Sequence, residues 1–420
     1  MPAQRSARPS WLTGASVPSH WRSSYLKHLV RFSSGETITA ESIEPEGAFA
    51  VYGANGFRGF TTRATHSGSR VLVGRVGALC GNVHVVSGEY WASEHALVGS
   101  TESDDVDVRW LRYLLVVMDL GQYSQSSAQP VIAATRIEAL GVEVPPLREQ
   151  RAIADYLDRE TARIDTLIEE QKRLIEMLRG RRKAVVERAV FCGLDDAPST
   201  GNPEPWLPDT PAHWPVVQLG FLSETLAGYA FSSDGFSAHE DHVRLLRGVN
   251  VKPGAVDWSD VVYWDTQTQP VPVEYSLSAG DLVFGMDRPF VGAGVRVAPV
   301  ADDDLPALLL QRVMRIRSNA GADSAYLRYA VATDAFLDYL EPLFTGVSVP
   351  HVSEWQVRKF KMPCPPLDEQ ERIAEYLDLQ TAKIDELIHE SERFIELSRE
   401  RRAALITAAV TGQIDVREVA

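Results

Sequence analysis

The feature that most limits what this chain can fold into is a duplication. Residues 145–168 read PPLREQRAIADYLDRETARIDTLI and residues 365–388 read PPLDEQERIAEYLDLQTAKIDELI, so 16 of 24 positions agree at a constant offset of 220. Ordinary residue usage would give roughly one or two matches. The offset persists from Arg181-Arg182 and Arg401-Arg402 to Leu194-Asp195 and Ile414-Asp415. A weaker repeat opens each half: Trp11-Leu12 through Pro18, His20 and Trp21 is echoed by Trp206-Leu207 through Pro211, His213 and Trp214. An internal repeat of this kind implies two equivalent structural units. The order is body, helix, body, helix.

The repeated segment reads as a helix. Leu157, Ile164, Leu167/Ile168, Leu174/Ile175, Leu178 and Val185 recur at three-, four- and seven-residue spacing between charged residues. Pro145-Pro146 stands just before it, and no proline follows until beyond residue 190. About 42 helical residues would span roughly 63 Å. The second copy carries Leu377, Ile384, Leu387/Ile388, Phe394/Ile395 and Leu405. A stripe that long exceeds what a small domain can cover, so the expected partner is the duplicate helix, packed as an antiparallel coiled coil about a pseudo-two-fold axis. The alternatives are two separate exposed helices or a seam to another subunit. Gln171 and Ser391 fall at equivalent polar positions of the stripes, and are expected to lie close together near that axis or to set the register.

The bodies are rich in glycine, valine, serine and aromatics, with short runs at 70–73, 83–86, 281–284 and 294–297 and helical stretches at 108–119 and 324–340. The expected fold class is α+β: two bodies with small irregular β-sheets, joined by two long helices in a pseudo-two-fold repeat. The boundaries are 1–147 for the first body, 148–191 for the first helix, 192–205 for a linker, 206–367 for the second body, 368–411 for the second helix and 412–420 for a tail.

Catalytic signatures are missing. No Gly-Lys dipeptide occurs, which excludes a P-loop, and there is no Gly-x-Gly-x-x-Gly after a strand, no Gly-x-Ser-x-Gly and no His-Glu-x-x-His. Asn202-Pro203-Glu204-Pro205-Trp206 departs from the adenine methyltransferase (Asp/Asn)-Pro-Pro-(Tyr/Phe) motif and reads as linker. Asp302-Asp303-Asp304 reads as a solvated loop, and the histidines show no metal-ligand spacing. Cys80, Cys192 and Cys364 are odd in number and far apart, which fits neither a disulfide framework nor a zinc cluster and points to a reducing cytoplasm. No apolar run follows Arg5 and Arg8, so neither a secretory leader nor a membrane span is expected.

Two variable bodies alternating with two copies of Pro-Pro-Leu-x-Glu-Gln-x-x-Ile-Ala-x-Tyr-Leu-Asp and Thr-Ala-x-Ile-Asp resemble the DNA specificity subunit of type I restriction-modification systems, over essentially the whole chain. Tyr52-Gly53-Ala54-Asn55-Gly56 and Trp91-Ala92-Ser93-Glu94-His95-Ala96-Leu97 also resemble target-recognition domains of that family. The resemblance implies a non-catalytic subunit, with each body a target-recognition domain reading half of a split, asymmetric site in double-stranded DNA, mainly through the major groove. The helix pair would set the spacing of the halves. Implied partners are two methyltransferase subunits and ATP-dependent translocase/nuclease restriction subunits. S-adenosylmethionine, ATP and Mg are implied for those partners, and no cofactor for this chain. One departure stands out: where the family often has Gln before Pro-His, the first body has Gln129-Pro130 but the second has Val349-Pro350-His351, so a shared base contact is not carried over.

Charge limits this reading. With 42 basic and 57 acidic residues the net charge is −15, and no segment is strongly basic. Phosphate neutralisation supplies most non-specific affinity, so the subunit alone should hold DNA weakly and its partners should supply much of the clamp. Acidity also keeps open a bipartite protein-protein scaffold as the alternative. Arginine outnumbers lysine 35 to 7, which a GC-rich genome explains at least as well as base reading. Candidate readers, chosen from Gly-bounded or turn-like segments, are Asn55, Arg58, Arg63, Arg75 and Gln129 in the first body. In the second they are Arg244, Arg247, Asn250, Arg288 and His351. Trp21 and Trp214 are read as core anchors. The seam residues are Leu157, Ile164, Ile168, Gln171, Ile175 and Leu178 with Leu377, Ile384, Ile388, Ser391, Ile395 and Leu405.

Overall fold

A computed structural model of the chain describes every residue except 1–11, 13–16, 102–103, 126–129, 203, 293, 347–348 and 418–420. The chain divides into two units, residues 1–172 with 392–420, and residues 173–391. Two long helices, Leu147–Cys192 and Leu367–Val410, each contribute to both.

In the first unit a four-stranded antiparallel sheet runs in the order Val30–Ser34, Ala96–Thr101, Arg70–Gly74, Val83–Val86. In a second small sheet, Phe49–Gly53 pairs parallel with Glu89–Ala92 and antiparallel with Gly56–Thr61. Arg22–Tyr25 pairs with Gly141–Val144, closing the body at the foot of the first long helix. The second unit repeats this plan on different residues. Its four-stranded sheet runs Ser223–Ala227, Val313–Ser318, Leu282–Gly285, Val297–Pro299, Val243–Leu246 pairs parallel with Ala307–Leu309, and Val216–Gln218 closes against Lys361–Pro363. The duplication therefore extends through bodies whose sequences barely show it. The expected helix over 324–340 is instead two, Ser324–Ala330 and Asp334–Leu340. Thr333 between them takes an extended backbone and its hydroxyl accepts from the Phe336 amide, so it starts a new helix rather than continuing the old one.

Much of the first half of the repeated motif is explained by docking. Glu149 accepts from Trp21 Nε1 at 3.0 Å, and Glu369 from Trp214 Nε1 at 3.1 Å; both tryptophans are buried, as expected of core anchors. The Gln150 carbonyl accepts from the Asp107 amide at 2.9 Å while its NH₂ donates to the Asp105 and Pro145 carbonyls at 3.1 and 3.0 Å. Gln370 does the same for the Asp323 amide (2.9 Å) and the Gly321 and Pro365 carbonyls (3.3 and 2.8 Å). Asp107 and Asp323 cap the helices Val108–Val117 and Ser324–Ala330. Tyr113 and Tyr329 of those helices donate to Asp158 and Asp378 at 2.8 and 2.7 Å, beside Thr161 and Thr381. Ile153, Ala154 and Leu157 enter the core of the first unit, and Ile373, Ala374 and Leu377 that of the second. A Gln whose amide oxygen and NH₂ are both engaged inside a core fixes orientation as well as adding stability.

Within each unit the long helices run antiparallel. In the first, Asp165 pairs with Arg402 at 3.1 Å, and Ile406, Ala409 and Val410 share a core with Ile153 and Leu157. In the second, Arg182 forks onto Asp385 at 2.8 and 3.3 Å, and Val186 and Val190 share a core with Ile373 and Leu377. The two pairs are related by the offset of 220. Buried residues are Leu157, Thr161, Ile164, Ile168, Ile175 and Leu178 on one helix and Leu377, Thr381, Ile384, Ser391, Ile395 and Ile406 on the other. Up to Ile395 their spacing follows the heptad alternation of three and four. Of the apolar doublets, Ile168, Ile175 and Ile395 turn inward while Leu167, Leu174 and Phe394 are exposed. Gln171 and Ile388 are half-buried. Leu405 is only half-buried and Ile406 is buried in its place, eleven residues beyond Ile395, where a strict heptad would have reached 405.

Candidate nucleic-acid interface

In the first unit three chain segments converge at one edge of the body. The turn Gly53 to Gly56 joins two strands, and Gly56 at φ 89° occupies the left-handed region that favours glycine. This turn presses on the end of the strand Arg70–Gly74, where a Cβ on Gly74 would stand 2.8 Å from the Ala54 carbonyl. The Ile132 amide donates to the Arg75 carbonyl at 2.9 Å and Gly77 to the Pro130 carbonyl at 3.0 Å, bringing in the closing segment. Asn55, Arg58 and Arg75 thus share an edge. Asn55 and Arg58 are exposed, whereas Arg75 is half-buried and donates to Ser34 Oγ at 2.9 Å. Arg63 is engaged elsewhere, its guanidinium 4.6 Å over the Trp91 ring. Gln129 lies outside the described residues.

His84 sits under the same turn, its ring 3.2 Å from where a Cβ on Gly56 would lie, with a buried Nε2 that has no hydrogen-bond partner. Burial, reinforced by Arg112, lowers its pKa and favours the neutral ring. The sequence reading missed this residue because a histidine in a Val-His-Val-Val strand carries no turn signal.

The second unit builds the corresponding edge from Met286 to Arg288 and from Pro350 to Val352. The Arg288 amide donates to the Pro350 carbonyl at 2.7 Å, the Val352 amide to the Met286 carbonyl at 3.0 Å, and Asp287 bridges to His351. Pro130 and Pro350 therefore play one backbone role in both bodies. Arg288 is exposed, and His351 Nε2 lies 2.9 Å from Thr345 Oγ1. The other three candidates are structural. Asn250 is 1% exposed, its Oδ1 accepting from the Arg247 amide and its Nδ2 donating to the Asp257 and Asp260 carbonyls. Arg247 donates to the Asp260 carbonyl at 2.7 Å, and Arg244 stacks over Trp258 while donating to the Asp303 and Leu305 carbonyls at 2.9 and 3.0 Å. Arg244 lies on the strand Val243–Leu246, and Arg247 and Asn250 spend polar atoms on their own turn, so turn-like sequence misled. Asp304, in the acidic triplet, accepts from Trp258 Nε1 at 2.8 Å and from the Ala301 amide.

Arg296, not singled out from sequence, braces this edge. Half-buried, with burial lowering its pKa against the pull of Asp287, it donates from Nε to the Val251 carbonyl at 3.0 Å and from Nη1 to the Asp287 and Arg288 carbonyls at 2.8 and 3.4 Å. A delocalised five-donor fork suits this task better than an ammonium group.

Comparison with known proteins places this architecture. The family model for the type I restriction modification DNA specificity domain matches residues 18–177 and 273–397. The type I restriction enzyme MjaVIII specificity subunit of Methanocaldococcus jannaschii is 26% identical over 342 residues, covering 79% of this chain and 78% of that protein. The EcoAI specificity subunit of Escherichia coli is 34% identical over 181 residues, 43% of this chain and 29% of its own length. The EcoprrI specificity subunit, also of Escherichia coli, is 36% identical over 138 residues, 32% of this chain and 34% of its own; the chain thus matches only about a third of either Escherichia coli protein. Among solved structures, a chain from work on complex assembly and conformational transition of the type I R-M system superposes with a TM-score of 0.71 at 14% identity over 95% of this chain and all of that one. The HsdS subunit from Thermoanaerobacter tengcongensis gives 0.52 at 16% identity over 96% of this chain and all of that one. At such identities the superpositions speak for the fold. With family matches in both halves and the duplicated docking motif in place, the chain belongs to the type I restriction-modification DNA specificity family.

Proposed function

We propose that this chain is the sequence-reading subunit of a type I restriction-modification assembly. Each body reads one half of a split, asymmetric DNA site, and the helix pair fixes the spacing between the halves. The observation that carries this reading is the contrast between repeat and variation. Two bodies with one strand order are held to their helices by the same Glu, Gln, Asp and Thr contacts, yet their edge loops carry different side chains. That is what two readers of different half-sites on a common mount require.

Chemistry belongs to the partners in this proposal: methyltransferase subunits with S-adenosylmethionine, and restriction subunits with ATP and Mg. Supporting two copies of one partner, Leu167, Leu174 and Met177 on the first helix and Leu387, Phe394 and Leu397 on the second are exposed and repeat at the offset of 220. Exposed apolar stripes at heptad-like spacing fit partner helices. Among the described residues no helix is long and apolar enough to cross a membrane.

The test is retention of duplex DNA by the complex reconstituted with methyltransferase subunits. Sequence-specific, salt-sensitive retention that is lost when either half-site is scrambled is expected. Retention indifferent to both half-sites would overturn the reading in favour of a scaffold.

A further inference from the structure

Three non-glycine residues among those described have left-handed backbones: Asp119 at φ 44°, Arg288 at φ 46° and Arg312 at φ 68°. Two of the three are arginines on the same edge of the second body. The Met286 amide donates to the Arg312 carbonyl at 2.9 Å, and Arg312 Nη1 lies 3.6 Å from Asp287 Oδ1, one residue from Arg288. Glycine would occupy either position without the steric cost that a side chain incurs. Backbone of this kind persists where surrounding structure enforces it, and it clusters at functional sites.

The enforcement is visible. Arg296 binds the Asp287 and Arg288 carbonyls, Pro350 receives the Arg288 amide, and His351 bridges Asp287. The side chains so mounted do not enter the core: Arg288 is exposed, and Arg312 and Asp287 are 57% and 37% exposed at the side chain.

Building on the proposed DNA-reading role, we infer that Arg288, Asp287 and Arg312 form a composite reader of a G·C base pair in the second half-site. A guanidinium would donate to guanine O6 and N7 in the major groove, and the Asp287 carboxylate would accept from cytosine N4. A phosphate contact fits the trio less well, because a carboxylate 3.6 Å from Arg312 opposes an approaching phosphate. A G·C pair offers acceptors and a donor side by side, matching the cation of Arg312 beside the anion of Asp287. Arg312 escaped the sequence reading because Leu-Gln-Arg-Val contains no glycine to mark a turn.

The experiment uses the reconstituted complex with full-length wild-type, R312G, R312K and D287N chains against duplexes randomised across both half-sites. Glycine accepts the backbone of position 312 and asparagine preserves the shape of Asp287, so melting midpoints should stay at the wild-type value. R312G and D287N are each expected to lose about ten- to a hundredfold in affinity for the wild-type site, with relaxed preference at one G·C position of the second half-site only. R312K should keep non-specific affinity and lose the preference. Unchanged base preference in R312G and D287N, or uniform weakening across all sequences with a shallower salt slope, would overturn the inference. A wild-type complex with no preference anywhere would instead sink the DNA-reading role itself.

Discussion

Replacing Gln150 by alanine should loosen one body and leave the other intact. Gln150 is 1% exposed and makes three hydrogen bonds, to the Asp107 amide at 2.9 Å and the Asp105 and Pro145 carbonyls at 3.1 and 3.0 Å. Each is worth about 0.5–1.5 kcal/mol net, and backbone groups left unpaired away from water cost about 1–3 kcal/mol apiece. Water can reach part of the gap, so a total near 2–4 kcal/mol is expected for Q150A. Because the Asp107 amide begins the helix Val108–Val117, the loss falls on that helix and the segment before it. Hydrogen exchange read by mass spectrometry resolves this: Q150A should accelerate exchange over 104–118 by a factor of about 30 or more, following about 1.4 kcal/mol per tenfold, with 323–331 unchanged. Q370A should do the reverse, since Gln370 holds the Asp323 amide. Equal acceleration in both bodies, or protection changed less than about threefold in either, would refute the claim that the repeated glutamines anchor their own bodies.

Other consequences follow from the same geometry. Deleting or inserting one heptad at matched positions of both helices, within 157–185 and 377–405, should change the length of the unread spacer while each half-site sequence is retained, as mapped on spacer libraries. The ion pairs Asp165–Arg402 and Arg182–Asp385 are partly exposed, so double-mutant cycles should give coupling of about 0.2–1 kcal/mol each. Exchange of charge, as in R182D with D385R, should restore most of it. In the first unit, His66 and His84 have pKa values lowered by burial, helped by Arg70 and Arg112 respectively. A base with a depressed folded pKa contributes stability that is present above its unfolded value of 6.5 and lost as pH falls through the folded value. Denaturant midpoints of the first unit should therefore drop below about pH 6.5, and H84Q should flatten part of that drop.

How much of this was legible in the sequence differs from element to element. The offset of 220 and the heptad-like stripes announce two long helices, because periodicity survives without knowledge of partners. The seam residues read from sequence include Ile168 and Ile175, which are the buried members of their doublets, but not the buried Thr161 and Thr381, because a threonine interrupts an apolar stripe. The roles of Glu149, Gln150 and Asp158 were invisible for another reason: their partners Trp21, Asp107 and Tyr113 lie 43 to 128 residues away. One signal was available, the duplicated Trp-Leu-Arg-Tyr at 110–113 and Tyr-Leu-Arg-Tyr at 326–329, which places Tyr113 and Tyr329 equivalently. On the two body edges, Asn55, Arg58, Arg75, Arg288 and His351 fell where turns meet, while Asn250 and Arg247 fold a turn inward on itself. Composition and turn chemistry report where a loop is, not which way its side chains face.

The central claim, two readers on one mount, is tested most directly by single-molecule sequencing of methylated adenines in DNA from cells expressing this chain with its methyltransferase subunits. One motif of two unlike half-sites separated by a fixed stretch of unread base pairs is expected. A continuous palindrome as the only methylated motif would contradict it.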